Sequence, residues 1–134
     1  MRKIAAQLAA RVSAGDVICL SGPLAAGKTE FAKGFAEGLG IGEMITSPTF
    51  TIVNEYEGGR LSLYHFDVYR ISSIEQMQDT GYEEYFYSDG VCIVEWAERI
   101  TALLPDHATI ISIEKDILKG EDYRRIRINA RGNI

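Results

Sequence analysis

The sequence predicts an α/β sandwich around a mixed sheet, and three observations predict it. Two short apolar runs, VICLS (17–21) and VCIVE (91–95), are continuous rather than alternating, the mark of strands buried on both faces. A glycine-rich loop and an amphipathic stretch follow the first of them, which reads as strand, turn and helix. A later pair of alternating segments reads as a hairpin that adds antiparallel strands to that parallel core, and a final strand pair follows.

The elements follow in order. Residues 3–13 carry Ile4, Leu8 and Val12 at helical spacing, and Gly15 suits the end of that helix. After VICLS and the glycine loop, Phe31, Ala32, Phe35, Ala36 and Leu39 fall on one face of a helix from Lys28 to about Leu39. Gly38, Gly40 and Gly42 are expected to break it. ITSPTF (45–50) is a turn segment around Ser-Pro. TIVNEYEGGRLSLYHFDVYRI (51–71) reads as two strands around Glu57-Gly58-Gly59-Arg60. A short helix is expected over 73–79, a buried strand over 91–95, and a strand pair, TIISIE (109–114) and RRIRINA (124–130), at the end.

The 134 residues, 46% hydrophobic and 25% charged, suit one soluble domain over 1–134. No apolar run approaches the ~18 residues that cross a bilayer, and the start does not read as a leader peptide. A cytoplasmic protein without membrane contact is expected. The net charge of −5 does not suggest non-specific wrapping of nucleic acid. The charge is uneven, however. Residues 74–99 hold seven acids (Glu75, Asp79, Glu83, Glu84, Asp89, Glu95, Glu98) against Arg99, and residues 115–134 hold six bases against three acids. Solvated faces or a docking surface both account for this. Cys19 and Cys92 sit inside the apolar runs without a CxxC, as buried free thiols of a reduced protein do.

GPLAAGKT (22–29) fits G-x-x-x-x-G-K-[ST]. Such a loop wraps phosphate oxygens with backbone N–H groups. Gly22 and Gly27 permit the dihedrals and the close approach. Lys28 sets a cation against the outer phosphates, and the Thr29 hydroxyl can ligate Mg²⁺. The helix behind aims its positive end at the anion. Pro23, Leu24, Ala25 and Ala26 complete the cradle, and Glu30 follows it.

Other residues join this loop. Glu95 ends a buried strand, where an acid can reach a loop-bound Mg²⁺ directly or through water. Trp96 follows it, as core or as a ring beside the nucleotide. In HFDVYR (65–70), period two puts His65, Asp67 and Tyr69 on one face. Asp67 can orient an attacking water or hold a metal's water shell. His65 reads as a structural hydrogen bonder rather than a metal ligand. Thr46, Ser47 and Thr49 can sense a γ-phosphate as switch loops do, or form a simple turn. There is no N-K-x-D for guanine. The loop alone leaves open an ATPase, a small-molecule kinase with Asp67 as base, and a nucleotide-gated binding module with little catalysis.

The order GxxxxGKT, TSPTF, YHFDVYR, IVEWAER and a late Leu104-Pro105 resembles the bacterial TsaE/YjeE family from about residue 4 to 130. Members are small ATPases required for threonylcarbamoyladenosine synthesis on tRNA. The resemblance implies a P-loop NTPase-like three-layer sandwich binding ATP and Mg²⁺. It implies that Lys28 and Thr29 hold phosphates and metal, Glu95 serves the metal, and Asp67 is needed for hydrolysis. Thr49 would lie near the metal and γ-phosphate, and Trp96 close to the nucleotide. It also implies a partner, the TsaB–TsaD transferase heterodimer, with tRNA met at most indirectly and a monomer when free. Turnover alone is expected to be slow. The family's loop commonly reads GDLGAGKT. Here Pro23 removes a backbone N–H and Ala25 restricts the dihedrals, so a slightly different phosphate geometry is expected. Many members also carry a segment ahead of the first helix that helps enclose the base, whereas this sequence starts almost at that helix.

Overall fold

The structure is a computed structural model that describes residues 2–22, 27–46, 48, 51–115, 117–120 and 123–130. Its elements are α1 (Arg2–Ala9), β1 (Val17–Ser21), α2 (Lys28–Leu39), β2 (Val53–Tyr56), β3 (Leu63–Asp67), α3 (Ile74–Gln78), α4 (Glu83–Phe86), β4 (Val91–Glu95), β5 (Thr109–Lys115) and β6 (Arg124–Ala130). A 3-10 segment, Ala97–Leu103, joins β4 to β5.

The described strands form one six-stranded sheet in the order β2-β3-β4-β1-β5-β6. β1 lies parallel to β4 and β5, and β3 is parallel to β4. β2 and β6 flank this four-stranded parallel centre as antiparallel edges. The mixed sheet is the one expected, and the inner strand of the predicted hairpin belongs to the parallel core.

Alternation along each strand splits the core into two layers. Ile18, Leu20, Leu63, Val91, Ile93, Ile111 and Ile113 face α1 and α2. Val17, Cys19, Phe66, Cys92 and Val94 face α3, α4 and the 3-10 segment. Phe31 and Phe35 of α2 are fully buried, with ring centroids 6.4 Å apart. Burial of each contributes roughly 1.5–3 kcal/mol relative to exposure.

Three expectations about elements change. α1 ends at Ala9 instead of running to residue 13. There the Arg60 guanidinium donates to the carbonyls of Ala9 (2.6 Å) and Val12 (2.9 Å), satisfying oxygens that a longer helix would have used. Gly38 lies inside α2 rather than breaking it. A Cβ there would sit 2.6 Å from the Ala6 carbonyl oxygen, and one at Gly34 would sit 2.5 Å from that of Arg2. Both glycines let α1 and α2 touch. Gly40, at φ 84°, is the C-cap. Third, β3 stops at Asp67, so Tyr69 leaves the strand and does not share the face of His65 and Asp67. The Asp67 carboxylate accepts the Tyr69 N–H at 2.9 Å, a local turn that competes with the ladder. α4 and the 3-10 segment have no counterpart in the sequence expectation.

Candidate functional site

The parallel centre places three motif ends together. β1 delivers Gly22, β3 delivers Asp67 and β4 delivers Glu95, all at the carboxyl ends of parallel strands, where ligands of open α/β sheets bind. Asp67 and Glu95 are register partners. Neighbours in register on adjoining parallel strands point to the same face, here the α2 face. The Val68 N–H donates to the Glu95 carbonyl at 3.2 Å and closes the two strand ends against each other.

α2 starts opposite them. Gly27, at φ 108°, is its N-cap in a left-handed conformation that suits glycine, and no side chain caps the helix start. The Phe31 N–H donates to the Gly27 carbonyl at 2.9 Å. The first N–H groups of a helix have no partner within it, and here no side chain caps them, as a phosphate-binding helix start requires. Lys28 opens this helix and is 6% exposed. Its Nζ donates to the Gly22 carbonyl at 3.0 Å and lies 3.6 Å from the centroid of the Trp96 ring. Burial lowers the Lys28 pKa, and the charges of Glu95, Glu98 and Asp67 oppose that shift. An ammonium held in a half-dry site among carboxylates is a strong partner for a polyanion.

The two acids are held differently. Glu95 is 4% exposed and its Oε2 accepts from Nε2 of His65 at 2.5 Å. A carboxylate accepts, so the ring proton sits on Nε2. Nδ1 of His65 is buried without a partner among the described atoms. His65 is therefore the hydrogen bonder the sequence suggested, with Glu95 as its partner. Asp67 is 7% exposed; besides its side-chain bond to Tyr69, its own N–H donates to the Ile52 carbonyl at 2.8 Å. Ile52 in turn donates its N–H to the Pro48 carbonyl at 2.8 Å and sits at φ 69°. A β-branched residue there is strained. The hydroxyl segment is thus tied by backbone bonds to the strand end that carries Asp67.

Trp96 also has a left-handed backbone, φ 63° and ψ 33°, at the start of the 3-10 segment. This turns its ring out of β4 and over Lys28. Tyr69 packs on Trp96 with centroids 4.9 Å apart, and the Arg99 guanidinium lies 4.9 Å from the Tyr69 ring. The stack Lys28–Trp96–Tyr69–Arg99 walls one side of the acids. Sequence reasoning did not assign His65, Tyr69, Arg99 or Ile52 to this site. The H-x-D spacing was the one available signal, for His65.

Gly22, Gly27, Lys28, Asp67, Glu95 and Trp96 are brought together. Thr29 lies in the first turn of α2, half-buried. Glu30 is exposed, and its carboxylate pairs with Arg2 at 2.8 Å and Lys33 at 3.4 Å. Pro23, Leu24, Ala25, Ala26, Ser47 and Thr49 lie outside the described residues. No cluster of three or more His, Cys, Asp or Glu side chains forms a ready metal cage among the described residues. Buried carboxylates beside a helix start instead suit a hard cation held partly by phosphates and water. Both cysteines are buried and neither forms a disulfide, and burial pushes the Cys92 thiol up to about 12. No helix among the described residues is long and apolar enough to cross a membrane.

This arrangement has close relatives. A family model described as threonylcarbamoyl adenosine biosynthesis protein TsaE matches residues 1–126. The chain is 49% identical over 132 residues to the tRNA threonylcarbamoyladenosine biosynthesis protein TsaE of Bacillus subtilis, covering 98% of this chain and 80% of that one. It is 54% identical over 99 residues to the TsaE protein of Treponema pallidum, covering 74% and 73% of the two chains. The TsaE protein of Haemophilus influenzae is 34% identical over 118 residues, covering 88% and 72%. Among solved structures, that of Bacillus subtilis YdiB superposes with a TM-score of 0.83 at 46% identity, covering 98% of this chain and 79% of that one. By its matched length, its fold and the strand ends that carry its motifs, the chain belongs to the TsaE family of tRNA threonylcarbamoyladenosine biosynthesis proteins.

Proposed function

We propose that this protein binds ATP with Mg²⁺ and hydrolyses it, and that it acts as an accessory to the TsaB–TsaD transferase heterodimer in threonylcarbamoyladenosine formation rather than transferring the group itself. The observation that carries this reading is the meeting of buried Lys28, Asp67 and Glu95 around the start of α2. A plain binding module needs the cation and the helix start. Two buried carboxylates held within that anion site cost stability and favour a reaction that uses them.

The roles follow from position. Lys28 and the first N–H groups of α2 hold phosphate oxygens. Thr29 and Glu95 would hold Mg²⁺, whose chemistry when bound is to neutralise phosphate charge and align the phosphoryl group. His65 fixes the Glu95 carboxylate through Oε2 and leaves Oε1 to turn toward the site. Asp67 orients the attacking water. Its carboxylate is held by the Tyr69 N–H and so presents a defined lone pair. Trp96 covers Lys28 and shields the site from bulk water.

The test is co-purification with the TsaB–TsaD heterodimer, with and without a non-hydrolysable ATP analogue, alongside γ-labelled ATP turnover. Nucleotide-dependent association with release of inorganic phosphate supports the reading. Transfer of label to a small molecule would instead make the protein a kinase.

A further inference from the structure

Resting on the hydrolysis reading above, we propose that Asn54 and Tyr56 of β2 are positioning residues for Asp67, acting through the turn that precedes β2. The sheet puts them in place to do so. β2 is an edge strand antiparallel to β3, so the chain leading into it emerges at the carboxyl end of β3, where Asp67 stands. Asn54 is opposite His65, and Tyr56 is opposite Leu63. Residues opposite each other in a ladder share a face. Tyr56 and Leu63 belong to the layer under α2, so both side chains point to the face that holds the site acids.

There they take hold of the chain ahead of them. The Thr46 N–H donates to Oη of Tyr56 at 3.2 Å, and that hydroxyl lies 3.4 Å from the Thr46 carbonyl oxygen. Nδ2 of Asn54 donates to the same carbonyl at 3.4 Å, while its Oδ1 accepts from the Thr51 hydroxyl at 2.9 Å. One amide thus joins Thr46 to Thr51 across the turn. Within this frame the Ile52 N–H donates to the Pro48 carbonyl, and the Ile52 carbonyl accepts the Asp67 N–H, each at 2.8 Å. The path from Tyr56 and Asn54 therefore ends on the peptide that carries Asp67.

Three features favour positioning over plain packing. Ile52 is held at φ 69°, a conformation that a β-branched residue keeps only where its surroundings impose it, and the two latched residues flank it in sequence and space. The Tyr56 ring is 5% exposed and fills the core on its own account; the hydroxyl adds the bonds to Thr46. Thr46 and Thr51 are exposed, so bonding them buries little and fixes geometry instead. The Asp67 carboxylate is aimed by the Tyr69 N–H on one side, and its own peptide is held by Ile52 on the other. A shift of that peptide moves the carboxylate off the line to an attacking water.

The experiment measures phosphate release from Mg·ATP by the full chain with the TsaB–TsaD heterodimer present, and thermal unfolding alongside. The variants are Tyr56→Phe, which keeps the buried ring, Asn54→Ala, Asp67→Asn, and Tyr56→Phe combined with Asp67→Asn. Gly38→Ala, at the contact of α1 with α2, is the control for lost stability. Tyr56→Phe and Asn54→Ala should each lower kcat about tenfold and leave KM within about threefold. Tyr56→Phe should lower kcat no further once Asp67 is replaced, because both act on one carboxylate. Gly38→Ala should keep the native kcat below its own Tm. Native kcat in both Tyr56→Phe and Asn54→Ala overturns the inference. So does a full tenfold loss on top of Asp67→Asn, which would mean that the latch acts elsewhere. A matching kcat loss in Gly38→Ala overturns it too, by making the effect one of stability. If the native protein releases no phosphate with its partners present, the hydrolysis reading itself fails and takes the inference with it; native release with unaffected variants sinks the inference alone.

Discussion

Nε2 of His65 lies 2.5 Å from Oε2 of Glu95, in a bond that crosses from β3 to β4 inside the buried layer under α2. The pair joins the strand carrying Asp67 to the strand carrying Glu95, and it orients the acid proposed to serve the metal. His65→Leu leaves that carboxylate buried without its donor, which costs about 1–3 kcal/mol. The expected result is a lower Tm and a raised Mg²⁺ requirement for nucleotide binding. His65→Gln, which keeps a donor, should recover part of both. Equal Mg²⁺ dependence in the native protein and the Leu variant would show that the bond does not orient Glu95.

Ile52 holds a left-handed backbone between the Pro48 carbonyl and the Asp67 N–H. Ile52→Gly relieves about 1–2 kcal/mol of backbone strain and loses a comparable amount of side-chain burial. Stability by denaturant titration should change by less than about 1 kcal/mol. Hydrolysis should fall about tenfold, because the peptide that receives Asp67 is no longer held. A large loss of stability with native turnover would refute this tie.

The contact of α1 with α2 depends on Gly34 and Gly38, where added Cβ atoms would press on the carbonyl oxygens of Arg2 and Ala6. Backbone cannot yield as a side-chain tip does. Gly34→Ala and Gly38→Ala should each destabilise by about 1–3 kcal/mol, read as a shift in the denaturant midpoint with unchanged slope. Alanine's better helix propensity, about 1 kcal/mol, works against this and is the smaller effect.

Cys92 gives a pH dependence of defined sign. Its thiol moves from an ordinary 9.0 to about 12 in the folded protein because it is buried, with Cys19 adding to the shift. The raised value means the protonated thiol favours the fold. That contribution is whole below pH 9 and is lost as pH rises from 9 toward 12, at up to about 1.4 kcal/mol per pH unit. Cys92→Ala should show a shallower loss of stability over that range, and the native thiols should resist a disulfide reagent at pH 8 until the chain is unfolded.

Much of this was legible in the sequence because the carriers are local. VICLS, VCIVE, the α2 stripe and RRIRINA announce themselves by burial period, and the structure gives β1, β4, α2 and β6 those same spans. The site acids were legible in part for a related reason. Glu95 was located by the end of a buried strand, whereas Asp67 was singled out inside HFDVYR, a strand expected to run on through Tyr69, and its place at a strand end came only with the structure. What stayed hidden depends on register and backbone. The His65–Glu95 bond exists only because β3 runs parallel to β4 with Asp67 opposite Glu95. The stack on Lys28 exists only because Trp96 is left-handed and β3 stops two residues before Tyr69. α4 spans four residues and the 3-10 segment carries a kink at Ile100, too little of either for a period to show.

The central claim, that buried Asp67 serves hydrolysis at the anion site around Lys28, is tested most directly by phosphate release. The measurement follows Mg²⁺-dependent release of inorganic phosphate from ATP with the TsaB–TsaD heterodimer present, for the native protein and Asp67→Asn, with ATP binding measured in parallel. The prediction is release by the native protein that falls at least about a hundredfold in Asp67→Asn, while ATP binding stays within about threefold. Native-like release by Asp67→Asn, or no release by the native protein with its partners present, would contradict it.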